Sequence, residues 1–363
     1  MRITAAISRK GTPAPIIETA DLEEPRADEV LVRLTASGIC HTDVHCHSGR
    51  GMPVPMPIVL GHEGAGIVEA VGAAVNTVAP GDHVVLSGAS CGQCPSCARG
   101  RPTYCDEGIR LNFGGQRLDG SSPLSQNGTR LAGSFFGQSS FASHTIAPQR
   151  TVVKVPADVP LHLLAPLGCG IITGAGSILE TFQLRPGQSV VVFGAGTVGL
   201  AAVMAARLAG ASKIVAVDID QGRLALARRV GATEAILSDA KTLDALRDIQ
   251  RRGFDFTLNT TTHPDVFTVA LECLAKEGVA GVVTRPAGGW TPNMPGLLAY
   301  GRKIQGILGG GANPHLFIPL MIDYWRQGRF PFDALITEFP FESIGEAWQA
   351  CVQGQIVKPL LRM

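Results

Sequence analysis

Residues 189–210 read SVVVFGAGTVGLAAVMAARLAG, and they restrict the fold more than any other stretch. A run of consecutive β-branched and apolar residues closed by glycines is the pattern of a strand buried on both faces. The segment after the glycines carries its apolar residues at helical spacing. Between strand and helix, Gly194, Gly196 and Gly199 make the pattern G-x-G-x-x-G. The first glycine permits a tight turn, the second lets the backbone approach a pyrophosphate, and the third lets helix and strand pack closely. Thr197 and Val198 open the helix, where free N–H groups and the partial positive charge of the helix end can face a phosphate. A glycine-rich turn without a ligand is the bland alternative, but the strand–turn–helix context is the one a dinucleotide site requires.

Asp218 closes the next apolar run, KIVAVDID, 19 positions beyond Gly199. A carboxylate there accepts hydrogen bonds from the adenosine ribose hydroxyls. It also opposes a 2′-phosphate, by ~4 kcal/mol per unit charge at ~4 Å and an effective dielectric near ~20. That corresponds to roughly a thousandfold. The expected cofactor is NAD.

The alternation continues with the helical QGRLALARRVG, the strand FDFTLNTT, a helix opening at Pro264 and the strand GVAGVV. Strands and helices in alternation predict a parallel sheet covered on both faces. Roughly the first 170 residues differ, with short β-like runs at Glu29–Leu34, Ile67–Val71 and His83–Leu86 between glycines and prolines. The end of the chain holds an aromatic-rich helix around PHLFIPLMIDYWRQG and then a helix–strand pair. At 363 residues the chain exceeds what one hydrophobic core usually serves. The expected class is α/β with two domains, one β-rich and one a doubly wound parallel sheet.

A formal net charge of +1 gives no broad electrostatic footprint for nucleic acid or an anionic membrane. No stretch approaches the ~18 uninterrupted apolar residues of a membrane span, and the first residues lack a signal-peptide core. A cytoplasmic protein acting on a small molecule is expected. In a reducing compartment the nine cysteines are not explained by disulfides.

Four of them form C-x2-C-x2-C-x7-C at Cys91, Cys94, Cys97 and Cys105. Four thiolates on one short loop close a tetrahedral zinc shell with no open position, which predicts a structural zinc. Ferredoxin-type runs also begin C-x2-C-x2-C but close with x3 and a proline, whereas Asp106 follows here. Cys40 in SGICHTD, His62-Glu63 in LGHEGAG and Cys169 in LGCGIITG are dispersed. Taken singly, each cysteine reads equally as a small buried hydrophobe and the histidine as a core residue.

GxCHTDxH, GHEGAGxVxxVG, the four-cysteine lobe and GxGxxG with its distant aspartate occur here in the order found in the medium-chain, zinc-containing alcohol dehydrogenases. The chain resembles that family over essentially its whole length. The resemblance implies that Cys40, His62 and Cys169 hold a catalytic zinc with a fourth position open for the alcohol. Glu63 then resembles the glutamate that approaches the metal during ligand exchange, and Asp43 the acidic residue that fixes the tautomer of the ligand histidine. Zinc acts as a Lewis acid that lowers the alcohol's pKa, and NAD accepts the hydride. Thr42 matches the hydroxyl that bonds the reacting oxygen, and His45 the histidine that ends the proton relay. Thr173 falls with the cofactor contacts. His41 stands where many relatives carry an arginine on the pyrophosphate; Lys358 aligns with another phosphate contact, and Arg223 with a contact to the adenosine ribose. His47 is expected to be merely exposed.

The same resemblance implies a GroES-like catalytic domain over 1–170, completed by 308–363, with a Rossmann domain over 171–307 inserted between them. It implies a homodimer or homotetramer. NFGGQRLDGSSPL and CGIITGAG look most like the bacterial aryl-alcohol branch, which includes benzyl alcohol and geraniol dehydrogenases. The cleft would be lined by Ser87, Phe135, Phe136 and Ile307, and two adjacent phenylalanines suit a flat apolar group. Polyol and glutathione-dependent formaldehyde dehydrogenases are the enzymatic alternatives. A zinc-stabilised binding module is the non-enzymatic one.

Overall fold

A computed structural model describes every residue, Met1–Met363. The chain forms two compact units. One comprises Met1–Cys169, Asn313–Ile322 and Asp333–Met363; the other comprises Gly170–Ala312 and Asp323–Phe332. The second assignment of Asp323–Phe332 departs from the sequence reading, which gave that stretch to the C-terminal part of the catalytic domain. Trp325 faces Phe332 there, with Phe330 and Phe332 both fully buried. No single helix is long and apolar enough to cross a membrane.

In the first unit the β-rich pattern becomes two sheets. The five-stranded one runs, in spatial order, Ile58–Val59, Arg2–Ser8, Ile16–Leu22, Leu124–Gln126 and Thr129–Leu131. The seven-stranded one centres on Glu29–Gly38, flanked by Gly64–Val71, His144–Pro148 and the C-terminal strand Lys358–Arg362. Within Glu29–Gly38, Val30, Val32, Leu34 and Ala36 are buried and alternate with the less buried Leu31, Arg33 and Thr35. One core gathers Ile39, Cys46, Ile58, Val59, Leu60, Phe135, Phe141 and the fully buried Trp348. That core lies directly behind the segments carrying Cys40 and His62, so packing fixes where those side chains emerge.

In the second unit six parallel strands stand in the order Glu234–Leu237, Lys213–Asp218, Ser189–Phe193, Phe254–Asn259, Leu274–Val282 and Lys303–Gly306. Counted along the chain this is 3-2-1-4-5-6, the doubly wound order whose switch point lies at the first strand. Ser189–Phe193 is buried at every position, as a central parallel strand requires. The two edge strands lack that continuous apolar signal because much of each is exposed.

Candidate active site and metal centres

Cys40 ends the turn after the strand Glu29–Gly38 and stands at the N-terminus of the helix His41–His47. From the first turn of that helix, fully buried Asp43 joins two distant segments. Its Oδ2 accepts the Cys40 N–H at 3.0 Å, while its Oδ1 accepts the Gly61 N–H at 3.0 Å and lies 3.1 Å from His62 Nδ1. A carboxylate at Nδ1 puts the ring proton there and leaves the Nε2 lone pair available. Nε2 is buried and has no hydrogen-bond partner. An orphaned acceptor of that kind, in a fully buried side chain, fits a metal ligand.

The Cys40 and Cys169 sulfurs, a His62 ring nitrogen and a Glu63 oxygen all lie within 4.8 Å of one another. A bond from the Cys169 thiol holds Cys40 well below the ordinary thiol range, against burial and helped by His62. The same bond, with burial, pushes Cys169 up. One thiolate is thus prepared, and a divalent cation would deprotonate the second. Glu63 fits here only because Gly38 has no side chain: a Cβ there would come within 2.1 Å of Glu63 Oε2.

Lys358 is corrected by the structure. Neither a surface lysine nor free to meet a phosphate, it is 2% exposed, with Nζ 2.7 Å from Glu63 Oε2 and 3.1 Å from the Ile39 carbonyl. Burial opposes its charge, and the Glu63 carboxylate and Cys40 outweigh burial and raise its pKa. Lys358→Met leaves Glu63 charged and unpaired in the core, which costs about 3–5 kcal/mol. Denaturant unfolding of the variant is expected to show that loss, and unchanged stability would contradict the pairing.

The four sulfurs of Cys91, Cys94, Cys97 and Cys105 also lie within 4.8 Å of one another. A tetrahedral shell with bonds of ~2.3 Å places sulfurs ~3.8 Å apart, so the lobe fits one zinc. Backbone N–H groups already point at the sulfurs, from Cys91 to Cys105 Sγ at 3.2 Å and from Cys94 to Cys91 Sγ at 3.4 Å. The Asp106 and Cys97 N–H groups lower Cys94 to about 6.

Thr42 Oγ1 is 3.8 Å from Cys40 Sγ. His45 is half-buried one turn further along the helix, and His41 is exposed on the same face, their ring centroids 6.2 Å apart. His47 departs from expectation: its Nε2 lies 2.8 Å from the Thr12 carbonyl and its ring meets Trp348 edge-on. The two phenylalanines also part company. Phe135 is fully buried in the core and lines no open surface, which corrects its expected place in a cleft. Phe136 is half-buried and stacks on the His62 ring, centroids 4.5 Å apart and planes 27° apart. Phe113, which the sequence reading missed, closes the cluster edge-on to both. Ser87 is buried, its hydroxyl without a partner.

In the second unit Gly194 has φ +91°, and a Cβ there would strike Thr260 Oγ1 at 2.3 Å. A Cβ on Gly199 would lie 1.8 Å from the Gly194 carbonyl, so the third glycine is needed for packing. At Gly196 a Cβ would meet nothing; it would fill the open space before the helix end, where a pyrophosphate fits. Asp218 is 8% exposed and accepts the Ala195 and Asp220 N–H groups, at 2.5 and 2.9 Å. A carboxylate has lone pairs beyond those two. Thr173 and Arg223 are half-buried in the same unit, and Ile307 is buried.

Residues 26–157 match the alcohol dehydrogenase GroES-like domain, and residues 197–323 the zinc-binding dehydrogenase domain. The geraniol dehydrogenase of Castellaniella defragrans is 43% identical, over 98% of this chain and 96% of its own. The chain belongs to the zinc-containing medium-chain alcohol dehydrogenases. A zinc-binding alcohol dehydrogenase domain protein from Burkholderia ambifaria superposes with a TM-score of 0.97 at 46% identity, covering 100% of this chain and 99% of that one. The benzyl alcohol dehydrogenase of Acinetobacter calcoaceticus superposes at 0.95 with 38% identity and the same coverage. The fold of this alcohol dehydrogenase is therefore a GroES-like domain with a Rossmann-type parallel sheet, as the sequence implied.

Proposed function

We propose that this dehydrogenase oxidises a primary aryl or allylic alcohol, of the benzyl, cinnamyl or geranyl type, reversibly to its aldehyde with hydride transfer to NAD. The observation that carries the reading is the convergence of Cys40, His62 and Cys169, with the Phe136 ring stacked on His62. These three residues hold the catalytic zinc, and the four-cysteine lobe holds a structural one. When bound, the catalytic zinc supplies Lewis acidity that lowers the alcohol's pKa, and NAD supplies the hydride acceptor.

The chain's own residues do the rest. Asp43 keeps the His62 proton on Nδ1. Thr42, beside Cys40, accepts the hydroxyl proton as it passes its own onward, and His45 ends that relay by handing a proton to solvent. Glu63 stands ready beside the ligands during exchange, held by Lys358. Phe136 offers an aromatic face and excludes water, which suits a conjugated substrate and gives it most of its binding energy. Ser87, buried in the same unit, adds to that lining. Gly194, Gly196, Thr197, Val198 and Gly199 receive the pyrophosphate, with Thr173, while Asp218 and Arg223 take the adenosine ribose. A cytoplasmic homodimer or homotetramer is the assembly that goes with the family.

Two relatives named geraniol and benzyl alcohol dehydrogenase support the substrate class, since one name denotes an allylic and the other an aryl alcohol. The test is a panel of alcohols with purified protein. Benzyl, cinnamyl or geranyl alcohol should exceed ethanol in kcat/KM by at least about a hundredfold, because several extra carbons are buried. Equal efficiency with ethanol would refute the aryl and allylic assignment and leave the dehydrogenase standing.

A further inference from the structure

We infer that Gln138 is a positioning residue for His62, through a clamp on the backbone that carries it. The inference rests on the reading of His62 as a ligand of the catalytic zinc. Gln138 is fully buried, and its side-chain amide reaches three backbone groups. Nε2 donates to the His62 carbonyl at 3.0 Å and to the Ser87 carbonyl at 3.2 Å, and Oε1 accepts the Gly64 N–H at 3.0 Å. Two carbonyls on one side and an N–H on the other fix which end of the amide is which. The amide thus grips the chain on both sides of Glu63.

The clamp is part of a larger docking of one segment on another. Ser139 Oγ donates to the Val59 carbonyl at 2.6 Å, the Phe141 N–H to the Leu60 carbonyl at 3.0 Å, and the Ser140 N–H to the Gly61 carbonyl at 2.9 Å. The carbonyls from Val59 to His62 are all taken by residues 138–141. To make these bonds the loop adopts left-handed backbone at Ser134, Phe136, Gly137 and Ser139, with φ of 59°, 52°, 69° and 52°. Three of those residues are not glycine, and such strain persists only where the surroundings over-determine it. Gly64 allows the approach, since a Cβ there would lie 2.8 Å from Ser140 Cβ and 3.1 Å from Gln138 Oε1.

The same loop lays Phe136 on the His62 ring. The imidazole is therefore set by Asp43 at Nδ1, by Phe136 on its face and Phe135 edge-on to it, and by Gln138 through its backbone. Without the clamp, His62 Nε2 loses its fixed distance from the two thiols. Bonds around a metal's ligands are worth about ten- to a hundredfold in affinity when removed.

The test reads zinc release to a chelator, with the metal counted first in the wild-type enzyme. Fewer than two zinc ions per wild-type chain would fail the site reading itself, whatever Gln138 does. Given two, Gln138→Met, similar in size but without the amide, should release the catalytic zinc about ten- to a hundredfold faster. The four-cysteine zinc should leave at the wild-type rate. Gln138→Asn keeps the amide on a shorter arm and should shift the rate in the same direction, and it stands in if Gln138→Met does not fold. Ser139→Ala loses two hydrogen bonds of the same loop, to Val59 and Phe135, but none to His62. It should melt earlier and still hold the catalytic zinc as the wild type does. Wild-type release from both Gln138 variants would overturn the inference. So would equal acceleration in Ser139→Ala, which would make Gln138 merely structural.

Discussion

His62→Ala is expected to retain one zinc per chain and to lose at least about a thousandfold in alcohol oxidation. The size follows from what is removed: Lewis-acid stabilisation of the transition state is worth several kcal/mol, and each ~1.4 kcal/mol is tenfold in rate. The zinc that remains should be the one in the Cys91, Cys94, Cys97 and Cys105 lobe, which shares no ligand with the first group. Cys169→Ala should behave alike, because its sulfur belongs to the same cluster. Metal analysis and steady-state rates on each purified variant check both statements. Two zinc ions and an unimpaired rate in His62→Ala would place the chemistry elsewhere.

Asp218→Asn should raise the ratio of NADP to NAD efficiency, by up to roughly a thousandfold. Asparagine removes the charge that repels a 2′-phosphate and keeps one acceptor for the Ala195 and Asp220 N–H groups. Part of any lost NAD efficiency will come from loosening that turn, since the glycine loop hangs on the same carboxylate. The ratio of the two cofactors, rather than either rate, is therefore the reading that matters. A ratio within about threefold of wild type would remove Asp218 as the selector.

Much of this architecture was legible in the sequence for identifiable physical reasons. The strand Ser189–Phe193 and helix Thr197–Leu208 announce themselves because a central parallel strand is apolar throughout and its glycines answer to packing. The four-cysteine lobe is equally plain, its ligands falling within 15 residues of chain. The dispersed cluster was accessible only through resemblance, because no local spacing links Cys40, His62 and Cys169. Lys358 was misread for the same reason: its partner Glu63 is 295 positions away, and nothing in GQIVKPLL marks a buried lysine. Gln138 carried no signal at all, since its bond to His62 spans 76 positions and glutamine is ordinarily a surface residue. Phe135 and Phe136 are adjacent and alike in sequence, yet a left-handed turn at Phe136 sends one ring into the core and the other onto His62.

The central claim is that the Cys40, His62 and Cys169 cluster holds the metal on which the reaction depends. Its most direct test follows NADH formation from benzyl alcohol while a chelator strips zinc, with metal content measured at each point. Activity should fall in proportion to loss of one zinc per chain, with the four-cysteine zinc still in place, and return when zinc is restored. A preparation that keeps its full rate after that zinc has gone would contradict the account.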